Sequence, residues 1–280
     1  MRSNQLSYPP GERNYTQKMK IVRFETKYTP ASYGWIDQDK VGVIQGDPFG
    51  EFRRYDPEFS LSELKLLVPC LPSKIIAVGR NYEEHIREMN QTPPEIPLLF
   101  LKPPSTLIRS GDPIILPPQS ERVEHEAELA VVIKKKSRWL RPEGVRDAIF
   151  GYTVANDVTA RDLQQRDGQW TRAKGFDTFC PLGPWIETEF DPSDSLITCR
   201  VNEVLRQMNS TRDMLFNIEQ LILYASSIMT LLPGDVILTG TPAGVGKLNA
   251  GDVVSIFIDG IGSLVNPVIA GKPYAAEETR

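Results

Sequence analysis

The chain has 280 residues, of which 40% are hydrophobic and 24% charged, a balance typical of a globular protein with a packed core. Its formal net charge is −4 at pH 7, and its short basic run, residues 134–136, ends a predicted strand, so we expect no nucleic-acid partner. The longest apolar stretch of helical character, residues 221–232, is far shorter than the ~20 residues that cross a bilayer, so we expect no membrane span.

The cysteines indicate a reducing compartment. Cys70, Cys180 and Cys199 are odd in number and widely separated, and they form neither a Cys-x-x-Cys motif nor a disulfide framework. We therefore predict a cytoplasmic protein with free thiols.

The N-terminal quarter predicts a tail followed by a small domain. Residues 1–18 have no apolar segment of the kind found in secretory signals and are predicted to be a disordered tail, with Met19 as an alternative start. Residues 20–44 alternate short β-like runs with turn residues, which predicts a small antiparallel sheet. Ser60 and Glu63 have the spacing of a capping box for a short helix. We assign residues 19–71 to a small β-rich N-terminal domain.

The pattern changes at about residue 72. A buried-looking strand, IIAVG, leads into a segment of helical composition, and LLFLK, IILP, ELAVVI and GYTVANDVT follow as further strands. Asn217 and Gln220 are expected to cap the clearest helix, and Asp259–Gly260 predicts a hairpin. The predicted fold class is α+β and β-rich, with a catalytic domain over residues 72–270 and a C-terminal tail over residues 271–280.

Acidic side chains lie where apolar strands begin or end. Glu126 and Glu128 are two residues apart at the head of a strand, so both side chains lie on one face. Like charges entering a buried strand are unfavourable unless a cation neutralises them, and Asp157 lies in another apolar strand. Three carboxylates suit a hard cation such as Mg²⁺ or Mn²⁺. The alternative, a solvated strand edge paired with Arg or Lys, stays open at this point.

The chain has two histidines, and one of them has an acid one helical turn away. If residues 80–90 are helical, His85 and Glu88 lie at i and i+3, where the carboxylate would orient the imidazole as a general base. A surface histidine with an incidental acid is the alternative. His125 precedes the Glu pair and points to the opposite face, so we expect it to have a supporting or structural role.

Two cations and a glycine-rich loop are further candidates. Lys174 and Arg161 stand in mostly uncharged segments, where each would either hold a substrate carboxylate or form a surface ion pair. The segment GTPAGVG does not have the spacing of a phosphate loop. We expect it to bring backbone N–H groups and the Thr241 hydroxyl close to an anionic ligand.

Six ordered segments between residues 72 and 268 resemble the fumarylacetoacetate hydrolase superfamily: GRNYEEHIREM, LFLKP, VEHEAELAVVI, GYTVANDVTARDLQ, WTRAKGFDTFCPLGPW and GDVILTGTPAGVG. The resemblance implies a mixed β-sandwich roll, usually a homodimer. It implies that Glu126, Glu128 and Asp157 ligate a divalent metal, Mg²⁺ or Mn²⁺. It implies further that the catalytic residues are His85, Glu88 and Lys174. The residues that it places in contact with the substrate are Arg161, Gln164, Gly240 and Thr241. Arg80 and Lys102 lie inside the matching segments and are assigned less firmly.

The resemblance is to the short members of this superfamily, which include acylpyruvases, oxaloacetate decarboxylases and 2-hydroxyhepta-2,4-diene-1,7-dioate isomerases, and not to the longer eukaryotic fumarylacetoacetase. It implies cleavage of a small 2-oxo acid or diacid, by hydrolysis or decarboxylation, through an enolate that the metal and Lys174 stabilise. Isomerisation of a dienedioate by the same residues is the alternative. A non-catalytic dicarboxylate-binding protein is a more remote one.

Overall fold

The computed structural model describes residues 19–27 and 30–272. The predicted tail over residues 1–18 lies outside this range, as do residues 273–280 of the predicted C-terminal tail. The strands are β1 (Lys20–Glu25), β2 (Ser32–Asp37), β3 (Lys40–Gly46), β4 (Phe52–Ser60), β5 (Lys65–Leu66), β6 (Ile75–Gly79), β7 (Leu98–Lys102), β8 (Leu107–Ile108), β9 (Ile114–Leu116), β10 (Val123–His125), β11 (Ala127–Ile133), β12 (Ile149–Asn156), β13 (Thr159–Ala160), β14 (Cys180–Glu187), β15 (Leu196–Val201), β16 (Val204–Ser210), β17 (Val236–Leu238), β18 (Gly246–Lys247), β19 (Val253–Ile258) and β20 (Gly262–Ala270).

The helices are few and short. They are α1 (Glu83–Glu88), α2 (Val145–Ala148), α3 (Arg161–Asp167), α4 (Thr171–Lys174) and α5 (Ile218–Ile228), with 3₁₀ turns at Leu61–Glu63, Pro104–Thr106, Pro142–Gly144 and Thr211–Asp213. The predicted β-rich α+β class is confirmed. Within the described residues, no helix has both the length and the apolar character needed to cross a bilayer.

Most strands join one mixed sheet of twelve strands. Its main path runs β4-β3-β2-β1-β14-β12-β11-β17-β6-β7, while β5 pairs with β1 and β8 with β14. A second sheet of five strands, β16-β15-β19-β20-β9, packs across β11, β12 and β14. A third, of three strands, is β13-β10-β18. Every residue of the central strands β11 and β17 is buried, and the two faces of each strand enter different apolar clusters, which explains their continuous apolar sequence.

The first strands are antiparallel, as the alternating pattern predicts, but they do not form a sheet of their own. Strand β1 pairs with β14, with Lys20 opposite Glu187 and Ile21 opposite Ile186, so the N-terminal strands extend the large sheet. The predicted capping box at Ser60 is wrong, since a single 3₁₀ turn follows and the Ser60 side chain makes no capping hydrogen bond.

Strand β11 shows how the sequence builds the core. Its alternate side chains enter two different apolar clusters, with Leu129 and Val131 in one and Ala130 and Val132 in the other. Leu129, Val131 and Val132, which are fully buried, each contribute roughly 1.5–3 kcal/mol relative to an exposed side chain.

Helix α5 packs into the same core as β11. Leu221, Ile222 and Ala225 lie in the cluster that also contains Leu129. The predicted Asn217–Gln220 cap is a complete capping box, in which each side chain bonds the other residue's backbone N–H. The predicted hairpin at Asp259 connects β19 and β20.

All three thiols are free and buried, which gives a first prediction. Burial raises the pKa of the Cys180 and Cys199 thiols to about 12 and that of Cys70 further. Because the thiolate is the reactive form, we expect the native protein to react with none of its thiols in a colorimetric assay at pH 8, and unfolded protein to react with three. Rapid reaction of any thiol in the native state would contradict the packing described here.

Candidate active site

Three carboxylates meet where β10, β11 and β12 come together. Glu126 lies between β10 and β11, Glu128 lies two residues further on, and Asp157 follows the last residue of β12. The backbone N–H of Asp157 donates to the Glu126 carbonyl over 2.9 Å, which fixes the two segments side by side. One oxygen from each carboxylate lies within 4.8 Å of those of the other two, and all three residues are buried.

Three buried cations surround this cluster. Lys174, at the end of α4, donates to Glu126 Oε2 over 2.8 Å and to Asp157 Oδ2 over 2.6 Å. Lys102 Nζ forms an ion pair with Asp157 Oδ1 over 2.7 Å, although the geometry is not that of a hydrogen bond. The same ammonium donates to the Lys174 carbonyl over 2.7 Å. Arg161, the first residue of α3, donates to Glu126. The cations therefore serve Glu126 and Asp157, and none of them pairs with Glu128.

The sequence analysis missed a fourth buried acid. Glu124 accepts a hydrogen bond from Arg161 Nε over 2.7 Å and another from Arg122 over 2.6 Å. The period-two pattern that selected Glu126 and Glu128 also contains Glu124 and was the signal that could have found it. Glu124, Glu126 and Asp157 each pair with at least one cation, whereas Glu128 pairs with none among the described residues.

Glu128 carries the uncompensated charge. Its Oε2 accepts the Gly240 N–H over 2.7 Å, but burial first, and then the charges of Asp157 and Glu126, raise its pKa well above the usual range. By contrast, the charges of Lys174 and Arg161 outweigh burial at Glu126 and lower its pKa. An all-oxygen donor set in which one carboxylate has no cationic partner fits a hard divalent cation such as Mg²⁺ or Mn²⁺ held by Glu126, Glu128 and Asp157.

The structure also brings the predicted His–Glu pair to this site. Helix α1 carries His85 and Glu88 on one face, with His85 Nδ1 at 3.0 Å from Glu88 Oε2. Partial burial acts to raise the pKa of Glu88, but the hydrogen bonds with His85 and the Gly244 N–H outweigh it and lower the pKa. Glu88 is therefore ionised at neutral pH, and it orients the imidazole.

The cavity between these groups has a volume of about 320 Å³. It is lined mainly by polar side chains, among them Arg80, His85, Glu126, Glu128, Asp157, Arg161, Gln164, Trp170, Lys174 and Thr241. All three predicted metal ligands and five of the seven predicted catalytic and substrate-contacting residues thus line one cavity. The other two, Glu88 and Gly240, are hydrogen-bonded to the cavity residues His85 and Glu128.

The four predicted substrate contacts are already engaged within the protein. Gln164 accepts from Arg161 over 2.5 Å, and the Thr241 hydroxyl donates to the Ala127 carbonyl over 2.9 Å. The Gly240 N–H is bound to Glu128, so in this arrangement the loop holds a carboxylate of the protein itself. The expectation that Gly240 lies beside the ligand stays a prediction.

Gln207, a residue with no sequence signal, connects several of these elements. It is fully buried on β16 and accepts a hydrogen bond from the Ala127 N–H over 3.1 Å. Its amide donates to Thr241 Oγ1 over 2.8 Å, and its oxygen lies 2.9 Å from His125 Nδ1. His125 is thus buried against the supporting network, on the side away from the carboxylates, as its position in the strand predicts.

The fold and site together define a class of β-rich enzymes that work around a cluster of buried carboxylates. The chain belongs to the fumarylacetoacetate hydrolase family: the model of the fumarylacetoacetate (FAA) hydrolase C-terminal domain matches residues 74–269, and that of the Rv2993c-like N-terminal domain matches residues 19–69.

Three proteins that are similar to this chain are named for three different reactions. It is 47% identical over 223 residues to oxaloacetate tautomerase fahd2, mitochondrial, of Xenopus laevis, covering 75% of this chain and 70% of that protein. A structure of 2-hydroxyhepta-2,4-diene-1,7-dioate isomerase from Mycobacterium marinum matches with TM-score 0.85 and 40% identity, over 91% of this chain and 100% of that one. A maleylpyruvate hydrolase from Sphingobium sp. SYK-6, with manganese(II) and pyruvate, matches with TM-score 0.74 and 32% identity, over 91% and 100%.

Gly240 offers a test of how the loop supports Glu128. It has φ +94°, and an added Cβ would lie 2.7 Å from the Asn81 Cβ, whereas Gly251 has φ +98° with nothing within 4 Å of an added Cβ. Both alanine variants bear the left-handed backbone cost of roughly 1–2 kcal/mol. We expect Gly240→Ala to lower the free energy of unfolding by about 1–3 kcal/mol more than Gly251→Ala, because the close contact adds strain. Equal losses in chemical denaturation would contradict this close approach.

Proposed function

We propose that this protein is a divalent-metal-dependent enzyme that forms an enolate from a small 2-oxo acid or diacid. The observation that carries the proposal is the juxtaposition, across one cavity, of a base, His85, with a carboxylate cluster in which Glu128 has no cationic partner among the described residues. A binding protein needs the carboxylates but has no use for an oriented imidazole. When bound, a divalent cation supplies Lewis-acid polarisation of the substrate oxygens.

The side chains of the chain supply the proton transfer and the charge stabilisation. With Nδ1 of His85 directed to Glu88, the other ring nitrogen is left to take a proton, and the carboxylate stabilises the imidazolium that results. The ammonium of Lys174, fixed by Glu126 and Asp157, stabilises negative charge on an enolate oxygen. Arg161 and Gln164 orient the substrate's carboxylate end.

Cleavage is the lead reaction. In hydrolysis of an acylpyruvate, His85 takes a proton from water and the hydroxyl oxygen bonds to the distal carbonyl carbon. The carbon–carbon bond then breaks, the acyl group leaves as a carboxylic acid and the electron pair forms the enolate. The proton that His85 took returns to the enolate carbon to give pyruvate. In decarboxylation of oxaloacetate, the C4 carboxylate leaves as CO₂ and the same enolate forms without need of a base.

Isomerisation is the second candidate, favoured by the similarity to a named tautomerase and a named isomerase. In this case His85 removes a proton from the carbon next to the 2-oxo group and the proton returns at another atom, with no bond between carbons broken. The residues required are the same, so the substrate decides between the two outcomes.

A substrate panel with and without chelator tests the proposal. With Mg²⁺ or Mn²⁺ present, we expect turnover of at least one of acetylpyruvate, fumarylpyruvate, oxaloacetate and a 2-hydroxydienedioate, and at least a ~100-fold loss of that turnover in EDTA. Product analysis distinguishes cleavage from keto–enol or double-bond isomerisation. Turnover that EDTA leaves unchanged would refute the metal dependence, and binding of oxalate without turnover of any substrate would favour the binding protein.

A further inference from the structure

The loop that connects β17 to β18, residues 239–245, contacts the predicted base pair. The Gly244 N–H donates to Glu88 Oε1 over 3.1 Å, and the other oxygen of Glu88 lies 3.0 Å from His85 Nδ1. A carboxylate that is hydrogen-bonded through both oxygens has a fixed orientation. The position of Gly244 therefore affects the direction in which the His85 imidazole points.

The first half of this loop is fixed by the core of the large sheet. Thr239 donates to the Leu129 carbonyl through its N–H, over 3.1 Å, and through its hydroxyl, over 2.9 Å. The Thr239 carbonyl accepts from the Asn81 side chain over 2.7 Å. Gly240, which donates to Glu128, directly follows this anchored residue, so its position does not depend on the second half of the loop.

The second half of the loop is held by β16, a strand of the five-stranded sheet. The amide nitrogen of Gln207, which is fully buried, donates to Thr241 Oγ1 and to the Pro242 carbonyl, each over 2.8 Å. The strand backbone is also close, because a Cβ added to Gly244, at φ +99°, would lie 2.0 Å from the Arg206 carbonyl oxygen. Two successive residues of β16 therefore set where Gly244 lies.

The amide of Gln207 is restricted to one orientation. Its oxygen accepts from the Ala127 N–H over 3.1 Å and lies 2.9 Å from His125 Nδ1, so a flipped amide would place its own N–H groups against another N–H. The oxygen therefore serves the segment that carries the metal ligands, and the two N–H bonds serve the loop. A carboxylate of the same shape would keep the first set of contacts and lose the second.

We propose that Gln207 is a positioning residue for the base: it fixes the second half of the β17–β18 loop, so that Gly244 holds Glu88 in the orientation that directs His85 toward the substrate. This inference rests on the proposed function, in which His85 takes the proton. Gln207 is not among the described residues that line the cavity, so its effect passes through the loop. Misplacement of a reacting group by about 1 Å costs on the order of 10²-fold in rate.

Gln207→Glu tests this role, because it removes only the two donors to the loop. With an acylpyruvate or a dienedioate we expect kcat to fall by about 10–100-fold. The affinity for Mn²⁺ and oxalate should not weaken by more than about twofold, because the contacts with Ala127 and His125 are retained. Exchange of the Gly244 amide hydrogen, followed by nuclear magnetic resonance, should become about tenfold faster or more. Gln207→Met, which introduces no buried charge, removes the same donors and should give the same changes in kcat and exchange.

Asn266→Asp is the matched control for the loss of two buried amide donors. Asn266 is buried on β20, is not among the residues that line the cavity, and donates to the Arg109 and Asp112 carbonyls over 2.9 and 2.8 Å. Asn266→Asp should lower the denaturation midpoint, as Gln207→Glu does, because each leaves two carbonyls without a donor. It should keep the wild-type kcat and the wild-type exchange rate at Gly244.

Wild-type kcat in Gln207→Glu and Gln207→Met, or an equal loss of kcat in Asn266→Asp, would overturn the proposal. A Gly244 amide that exchanges as fast in the wild type as in an unfolded chain would also overturn it, since the loop would then not be fixed. Absence of turnover by the wild type refutes the proposed function, whereas unchanged exchange at Gly244 in both Gln207 variants refutes the role of Gln207 alone.

Discussion

Replacing Glu128 with glutamine is expected to weaken Mg²⁺ or Mn²⁺ binding at least ~100-fold, and turnover with it, while the metal-free protein stays as stable as the wild type or becomes more stable. The reason is that Glu128 is the buried carboxylate without a cation, crowded by Asp157 and Glu126, so its charge is a cost to the fold in the absence of metal. Glutamine keeps the shape and still accepts from the Gly240 N–H. Metal titration and chemical denaturation in EDTA measure the two effects.

Glu124 is the matched control, a buried carboxylate four residues before Glu128 whose charge is compensated. Glu124→Gln removes the negative charge that pairs with Arg161 and Arg122 and should lower the free energy of unfolding by about 1.5–3 kcal/mol even without metal. In the metal-free protein, Glu128→Gln is therefore expected to keep or raise the free energy of unfolding, whereas Glu124→Gln is expected to lower it. A loss of stability in Glu128→Gln as large as that in Glu124→Gln, or unchanged metal affinity, would contradict the assignment of Glu128.

The second large effect is expected at the base. With an acylpyruvate or a dienedioate, whose reactions need a base, His85→Gln and Glu88→Gln should each lower kcat, the former by ~10²–10⁴-fold, because proton transfer by a positioned base contributes a factor of that size. Affinity for Mn²⁺ and oxalate should stay within about twofold, since neither residue belongs to the carboxylate cluster. Steady-state kinetics and metal titration on the same preparations separate these effects.

Glu83→Gln tests whether the loss at His85 comes from the base itself. Glu83 is exposed on the same helix and pairs with Arg87, so this variant changes the charge of α1 without touching the cavity. It should keep full activity. Wild-type kcat in His85→Gln, or an equal loss in Glu83→Gln, would show that His85 is not the base.

The sequence indicated the three carboxylates that the structure brings together, because their signal is local. Glu126 and Glu128 share a strand face by periodicity alone, and their approach to Asp157 follows from the antiparallel pairing of β11 with β12. The same periodicity also includes Glu124, which was overlooked because it lies before the apolar run. The pairing of His85 with Glu88 could be predicted for a similar reason, since the two residues are one turn apart on a short helix.

Other features depend on tertiary structure and had no local signal. The joining of the N-terminal strands to the large sheet requires β1 to meet β14, more than 150 residues later in the chain. Gln207 acts through contacts with His125 and Thr241, which no spacing in the sequence reveals.

The measurement that tests the central claim most directly is a titration of the chelator-treated wild-type protein with Mn²⁺, followed by electron paramagnetic resonance, with and without oxalate. We expect one Mn²⁺ per chain, bound more tightly when oxalate is present, because oxalate offers the two oxygens of a 2-oxo acid end to the same cation. A folded protein that binds no Mn²⁺ under these conditions would contradict the assignment of Glu126, Glu128 and Asp157 as a metal site.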